Sequence, residues 1–115
     1  MLVVAPPLQA QSRRLTGLEI GELLSGNTVV GEWEDEPYRQ LYRADGTTLY
    51  TRQDGGRNEG LWRLAEEAYE ESWDGGETWL AWTVRRVSGR FVFLGEDVPA
   101  TSFAVERGDT TFTPE

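Results

Sequence analysis

Carboxylates, phenols, indoles and guanidiniums are the side chains through which this chain could do chemistry. It carries 20 Asp and Glu and 11 basic residues, all of them Arg, with five Trp, four Tyr, no His and no Cys. The missing types remove the Ser-His-Asp triad, the Cys nucleophile, disulfides and the usual zinc ligand sets. They also remove the side chain that ordinarily shuttles protons near neutral pH. An enzyme built on this chain would have to work with carboxylates, Tyr or Arg.

The acids fall in two groups. Glu66, Glu67, Glu70, Glu71, Asp74 and Glu77 form one, and Glu32, Glu34, Asp35 and Glu36 the other. Dense carboxylates can hold Ca²⁺ through oxygen ligands, but no Asp-x-Asp-x-Asp-Gly loop is present, and both groups read as solvated turns and strand faces. Glycoside hydrolysis needs two acids about 5–10 Å apart across a cleft, and the sequence singles out no such pair. Neither Gly55-Gly56-Arg57 nor Gly75-Gly76 leads from a strand into a helix opening on Lys-Ser/Thr, so neither is a phosphate loop. No metal, cofactor or catalytic residue is expected.

The aromatic residues carry the stronger signal. Most of the rings are expected to fill a core, since each buries a large area. Stacked Trp and Tyr rings at a barrel mouth could also take a sugar or an apolar ligand. Strand alternation places Leu80, Trp82, Val84 and Arg86 on one face and Trp79, Ala81, Thr83 and Arg85 on the other. With Trp82 inward, Arg86 becomes the basic group for a cavity rim, where a structural ion pair is expected ahead of a ligand contact. The candidate ligand-binding set is Trp33, Tyr42, Trp62, Trp82 and Arg86.

Positioning these residues requires a small fold. At 115 residues, 38% hydrophobic and 27% charged, the chain can bury one core and is neither disordered nor membrane-spanning by composition. Its formal charge of −9 argues against nucleic-acid binding, which needs a basic face, and against docking on anionic lipid. A basic partner is compatible with that charge.

The opening MLVVAPPLQA is read as the remnant of an export signal whose start is missing, or as a disordered arm. Residues 1–12 are set apart from a single domain at 13–115. The location expected from that reading is periplasmic or secreted, with cytoplasmic as the alternative.

Thr16-Gly17-Leu18-Glu19 fits a capping box, and Leu15 and Ile20 fall at the staple positions. Leu23 and Leu24 continue the apolar face and Gly26 stops it, which predicts a helix over Gly17–Leu24. Two turns cannot stand alone in water, so this helix must lie against a sheet edge or barrel mouth.

Beyond Gly26 the pattern is strands: 28–33, 38–43, 47–52, 60–65, 68–73, 78–87, 90–94 and 101–106. Asp45-Gly46, between two alternating runs, is the strongest short hairpin signal in the chain. A helix over 62–71 is the competing reading. Bracketing by Gly60 and Asp74-Gly75-Gly76, with recurring aromatics, favours two strands. The fold expected is mainly β: an antiparallel meander of about eight strands, barrel or sandwich, with a short N-terminal helix.

Leu23-Leu24-Ser25-Gly26-Asn27-Thr28, then Gly31, Tyr42-x-x-Asp45-Gly46-Thr47 and Gly60-x-Trp62-Arg63 resemble small exported bacterial domains of unknown function, seen especially in proteobacteria. The similarity covers roughly 15–95 and rests on turn glycines and core aromatics. Such domains often carry a Cys pair in the strands after G-x-W; here Ser72 and Ala81 or Trp82 stand in about those places. The general look is also similar to lipocalin-like and avidin-like barrels. The resemblance implies no assigned activity.

The function expected is that of a non-enzymatic exported domain binding a small molecule or a protein. The alternatives are a carboxylate-based hydrolase of cell-envelope glycans and an acidic structural or inhibitory module facing a basic partner.

Overall fold

A computed structural model describes residues 12–113. The proposed signal remnant at 1–10 therefore lies outside the described residues.

Thr16 starts the one helix among the described residues, α1 (Gly17–Leu24), through the capping box expected from sequence. Its hydroxyl accepts from the Glu19 N–H at 3.2 Å and its own N–H donates to the Glu19 carboxylate at 3.0 Å. Ile20 and Leu24 on one face are fully buried, and Leu15 beside them nearly so.

The described residues form nine strands besides the helix. They are β1 (Ser12–Arg14), β2 (Asn27–Trp33), β3 (Glu36–Tyr42), β4 (Thr47–Arg52), β5 (Arg57–Leu64), β6 (Tyr69–Ser72), β7 (Leu80–Val87), β8 (Arg90–Gly95) and β9 (Thr101–Arg107). From β2 to β9 each pairs antiparallel with the next, and β9 returns to pair with β2. The sheet is thus a closed eight-stranded barrel, not a sandwich. The segment 62–71 is two strands, not a helix.

β1, which starts at Ser12, is an addition to the expected architecture. On one side β7 pairs with β6 through Leu80–Trp82 only. β1 pairs with Arg85, Arg86 and Val87, filling the stretch that short β6 leaves open. No alternation can be read in three residues, so the sequence carried no signal for it.

α1 closes the barrel end where β1 arrives. Leu15 N–H donates to the Val84 carbonyl and Gly17 N–H to the Glu66 carbonyl, each at 2.8 Å. Gly26 N–H donates to the Tyr42 carbonyl at 2.7 Å. The helix is thus stitched to β7, to the β5–β6 turn and to the end of β3. Leu15, Ile20, Leu24, Val29, Val84 and Phe103 pack beneath it as part of one buried cluster.

Residues after β9 strap the outside of β2, β3 and β4. Thr28 Oγ1 donates to the Gly108 carbonyl at 2.6 Å and accepts from Thr110 N–H at 2.9 Å. Phe112 N–H donates to Thr51 Oγ1 at 3.2 Å, and Arg39 lies over the Phe112 ring. This strap accounts for Thr28 and Thr51 being fully buried although they alternate outward.

Gly17 tests the helix plug. Ala is the better helix former by about 1 kcal/mol in an exposed helix interior. A Cβ at Gly17 would collide with the Ala65 carbonyl oxygen, which is backbone and cannot swing aside. Gly17→Ala is therefore expected to destabilise the fold, by about 1–3 kcal/mol, in chemical denaturation. A variant as stable as the parent would show that the plug is not held this tightly.

Candidate functional site

The end opposite α1 is not filled. A cavity of about 410 Å³ opens there, reaching down to Tyr42, Tyr69 and Glu71. Its wall is mostly aromatic: Trp33, Tyr38, Tyr50, Trp73, Trp82 and Phe93. Tyr38 stacks on Tyr50 with ring centroids 5.2 Å apart, and Trp73 meets Tyr50 edge-on at 6.4 Å. Across the cup, Trp82 meets Trp33 edge-on at 6.4 Å and Phe93 at 6.1 Å.

Three glycines make room for these rings. A Cβ on Gly31 would meet the Tyr38 hydroxyl at 2.9 Å, one on Gly60 the Trp73 ring at 2.6 Å, and one on Gly95 the Trp82 ring at 2.7 Å. Gly31 and Gly95 stand directly opposite Tyr38 and Trp82 in the ladders. Each ring lies flat across a neighbouring strand instead of projecting into the lumen, so the wall is thick in aromatics while the centre stays open.

The floor is polar. Glu71 Oε1 accepts from Tyr42 Oη at 2.8 Å and from Gln40 Nε2 at 3.0 Å. Tyr42 has one proton and gives it to Glu71, so Tyr69 Oη donates to Tyr42 Oη at 3.1 Å. Gln40 also donates to Thr48 Oγ1 at 3.0 Å, and Thr48 donates to the Leu41 carbonyl at 2.8 Å. Glu71 is only 5% exposed. Burial raises its pKa above the ordinary carboxylate value, against the lowering effect of the Tyr42, Gln40, Tyr69 and Trp73 donors. Tyr42 and Tyr69 are pushed far up, first by burial and then by the adjacent carboxylate. Among the described residues no guanidinium forms an ion pair with Glu71.

The rim carries charge of both signs, Glu34 and Arg52. Arg52 leans out over Gly56, with its Nε 3.4 Å from Asp54. Asp74 organises the β6–β7 loop that follows Trp73. It accepts from Thr78 N–H and Ser72 Oγ, both at 2.8 Å, which with further donors holds its carboxyl at a pKa of about 2.

Of the five residues picked from sequence, Trp33, Tyr42 and Trp82 come together on the cavity. Trp62 does not line it. It lies below Tyr42, edge-on with centroids 5.2 Å apart, and its indole N–H donates to the Arg43 carbonyl at 2.8 Å. Arg86 does share a strand face with Trp82, but four residues along β7 carry it roughly 13 Å toward the helix end. There its guanidinium sits over Phe91 at 5.6 Å, so it is no rim residue.

Glu71 is the residue that sequence reasoning missed, grouped with solvated acids. A signal was available: it stands between Tyr69 and Trp73 at a spacing of two, so if those rings face the lumen, Glu71 does as well. Gln40, between Tyr38 and Tyr42, carries the same mark. The other acids of that group do not gather around it as a metal site; among the described residues no three potential ligands do so. Among the described residues the Trp82 indole N–H is a buried donor with no partner.

Glu71 binds a proton more tightly in the folded than in the unfolded chain. Its contribution to stability is therefore complete below the unfolded pKa and is lost as pH rises through the folded one. Glu71→Gln, which keeps the acceptor for Tyr42 and Gln40, should raise the melting temperature more at pH 8 than at pH 4. Thermal melts at the two pH values check this; an equal gain at both, or a larger one at pH 4, would contradict the assignment.

No family model, curated protein or solved structure matches this chain. What stands of the resemblance seen in its motifs is the architecture, a small eight-stranded antiparallel barrel of lipocalin-like look.

Proposed function

We propose that this protein is a binding barrel that takes a small, ring-bearing or otherwise flat apolar molecule into its open end. One observation carries the reading: a fold able to fill its own lumen instead holds an open cup of about 410 Å³, walled by rings and floored by polar groups. That volume lies in the range of small-molecule pockets, which pair apolar walls with a few placed polar groups. The glycines opposite Tyr38, Trp73 and Trp82 support it, because larger residues there would push the rings into the lumen. An acidic interaction module would not need this space.

A carboxylate-based hydrolase is the second reading, favoured by a buried acid with raised pKa on the same cavity as Glu34. It ranks below binding because both hydrogen bonds described at Glu71 fall on its Oε1 from inside the wall, while Glu34 stands in the β2–β3 turn.

Three of the five tryptophans line the cup, so ligand entry should change indole emission. Titration with a panel of planar aromatic probes is expected to give saturable quenching or a spectral shift. Asn58→Trp, which places a bulky ring at the rim opposite Tyr50, should weaken binding about tenfold or more without lowering the melting temperature. Saturation unaffected by this obstruction would place the binding elsewhere. Turnover of a glycan panel, abolished by Glu71→Gln, would favour the hydrolase.

A further inference from the structure

The floor of the cup carries an acid for which the described residues supply no positive partner. Glu71 is buried, accepts hydrogen bonds only from neutral groups, and has no guanidinium beside it among the described residues. Arg52, on the cavity rim, has its guanidinium paired with Asp54 and not with Glu71. A lone buried carboxylate is destabilising, and Gln would meet the same Tyr42 and Gln40 donors without that penalty.

The walls complete the pattern. Tyr42 presents its hydroxyl to the carboxyl, backed by Tyr69, while the rings of Tyr38, Tyr50, Trp73 and Trp82 line the same cavity. The face of an aromatic ring carries negative potential and attracts cations, most strongly where water is excluded. An anionic group would meet a carboxylate and π faces at once, which excludes it. A neutral apolar ligand would leave Glu71 as poorly compensated as before. A positive group set above Glu71 and between the rings would satisfy both.

Resting on the reading of the barrel as a binding protein, we infer that its ligand is an organic cation: an amine or alkylated ammonium whose charged head sits on Glu71 and whose apolar body lies along the tryptophan wall. The net charge of −9 favours the approach of such a ligand.

Three phenyl probes of different charge, the cation and the neutral one isosteric, test this. Benzyltrimethylammonium, its uncharged carbon isostere neopentylbenzene, and benzoate are titrated against the full chain by indole emission and calorimetry, in parallel with Glu71→Gln. The cation should bind at least tenfold more tightly than the isostere, and benzoate should not bind. Glu71→Gln should weaken the cation about tenfold or more and leave the isostere unchanged. Equal binding of cation and isostere, or tighter binding of benzoate, would overturn the cation assignment while leaving the binding barrel intact. Binding of none of the probes, with no emission change for the wider aromatic panel, would overturn the binding barrel itself. If Glu71→Gln does not fold, the comparison of cation with isostere on the parent chain still decides the matter.

Discussion

An eight-stranded barrel is about wide enough for its own inward side chains to fill. Any cavity in one must be made by removing or laying down what would otherwise occupy it, and the two halves of this molecule handle that constraint oppositely. At one end α1 is drawn in as a plug, and Ile20, Leu24, Val84 and Phe103 fill the lumen beneath it. At the other end glycines stand opposite the largest rings, which fold flat against neighbouring strands. The same ladder thus supports a solid base and an open cup. In the base, Ile20, Leu24 and Val84 are fully buried. The cup can then keep surface that a pure stability criterion would have covered.

Glu71 sits at the boundary between those halves. Below it Tyr42 and Tyr69 are packed and fully buried; above it lies the cavity. Its hydrogen bonds run down into the base, through Tyr42 to Tyr69 and through Gln40 to Thr48, so the floor is tied to the packed part of the protein. Polar groups buried at a stability cost in an otherwise apolar wall are characteristic of functional sites. This is why the proposed binding and the proposed cation preference both converge on one carboxylate.

The helix, its cap and staple, the hairpin at Asp45-Gly46 and the strand succession were legible because each rests on local chemistry: a capping side chain, a glycine at positive φ, an alternation of period two. The ring content of the cavity was half legible. Trp33, Tyr42 and Trp82 could be proposed from type and alternation, whereas Trp62 and Arg86 have the right alternation but the wrong depth. Alternation gives the face of a strand and says nothing about height along the barrel axis. Height decides whether a residue lies under the plug or on the cup. Glu71 was obscured by its neighbours in sequence, because Glu66, Glu67 and Glu70 make it look like one more solvated acid.

By itself, then, the sequence determined that this is a β protein with one short helix, that its chemistry excludes thiols and imidazoles, and that aromatic residues build its interior. These follow from composition and near-neighbour periodicity. Only the tertiary structure decided that the sheet closes between β2 and β9, that β1 fills the gap beside β6, and that residues 108–113 strap the outside. It also decided which end is plugged and which carboxylate lies buried at the floor of the cup. Each of these depends on where one strand stands relative to another far along the chain, and that registration is set by packing the whole barrel at once.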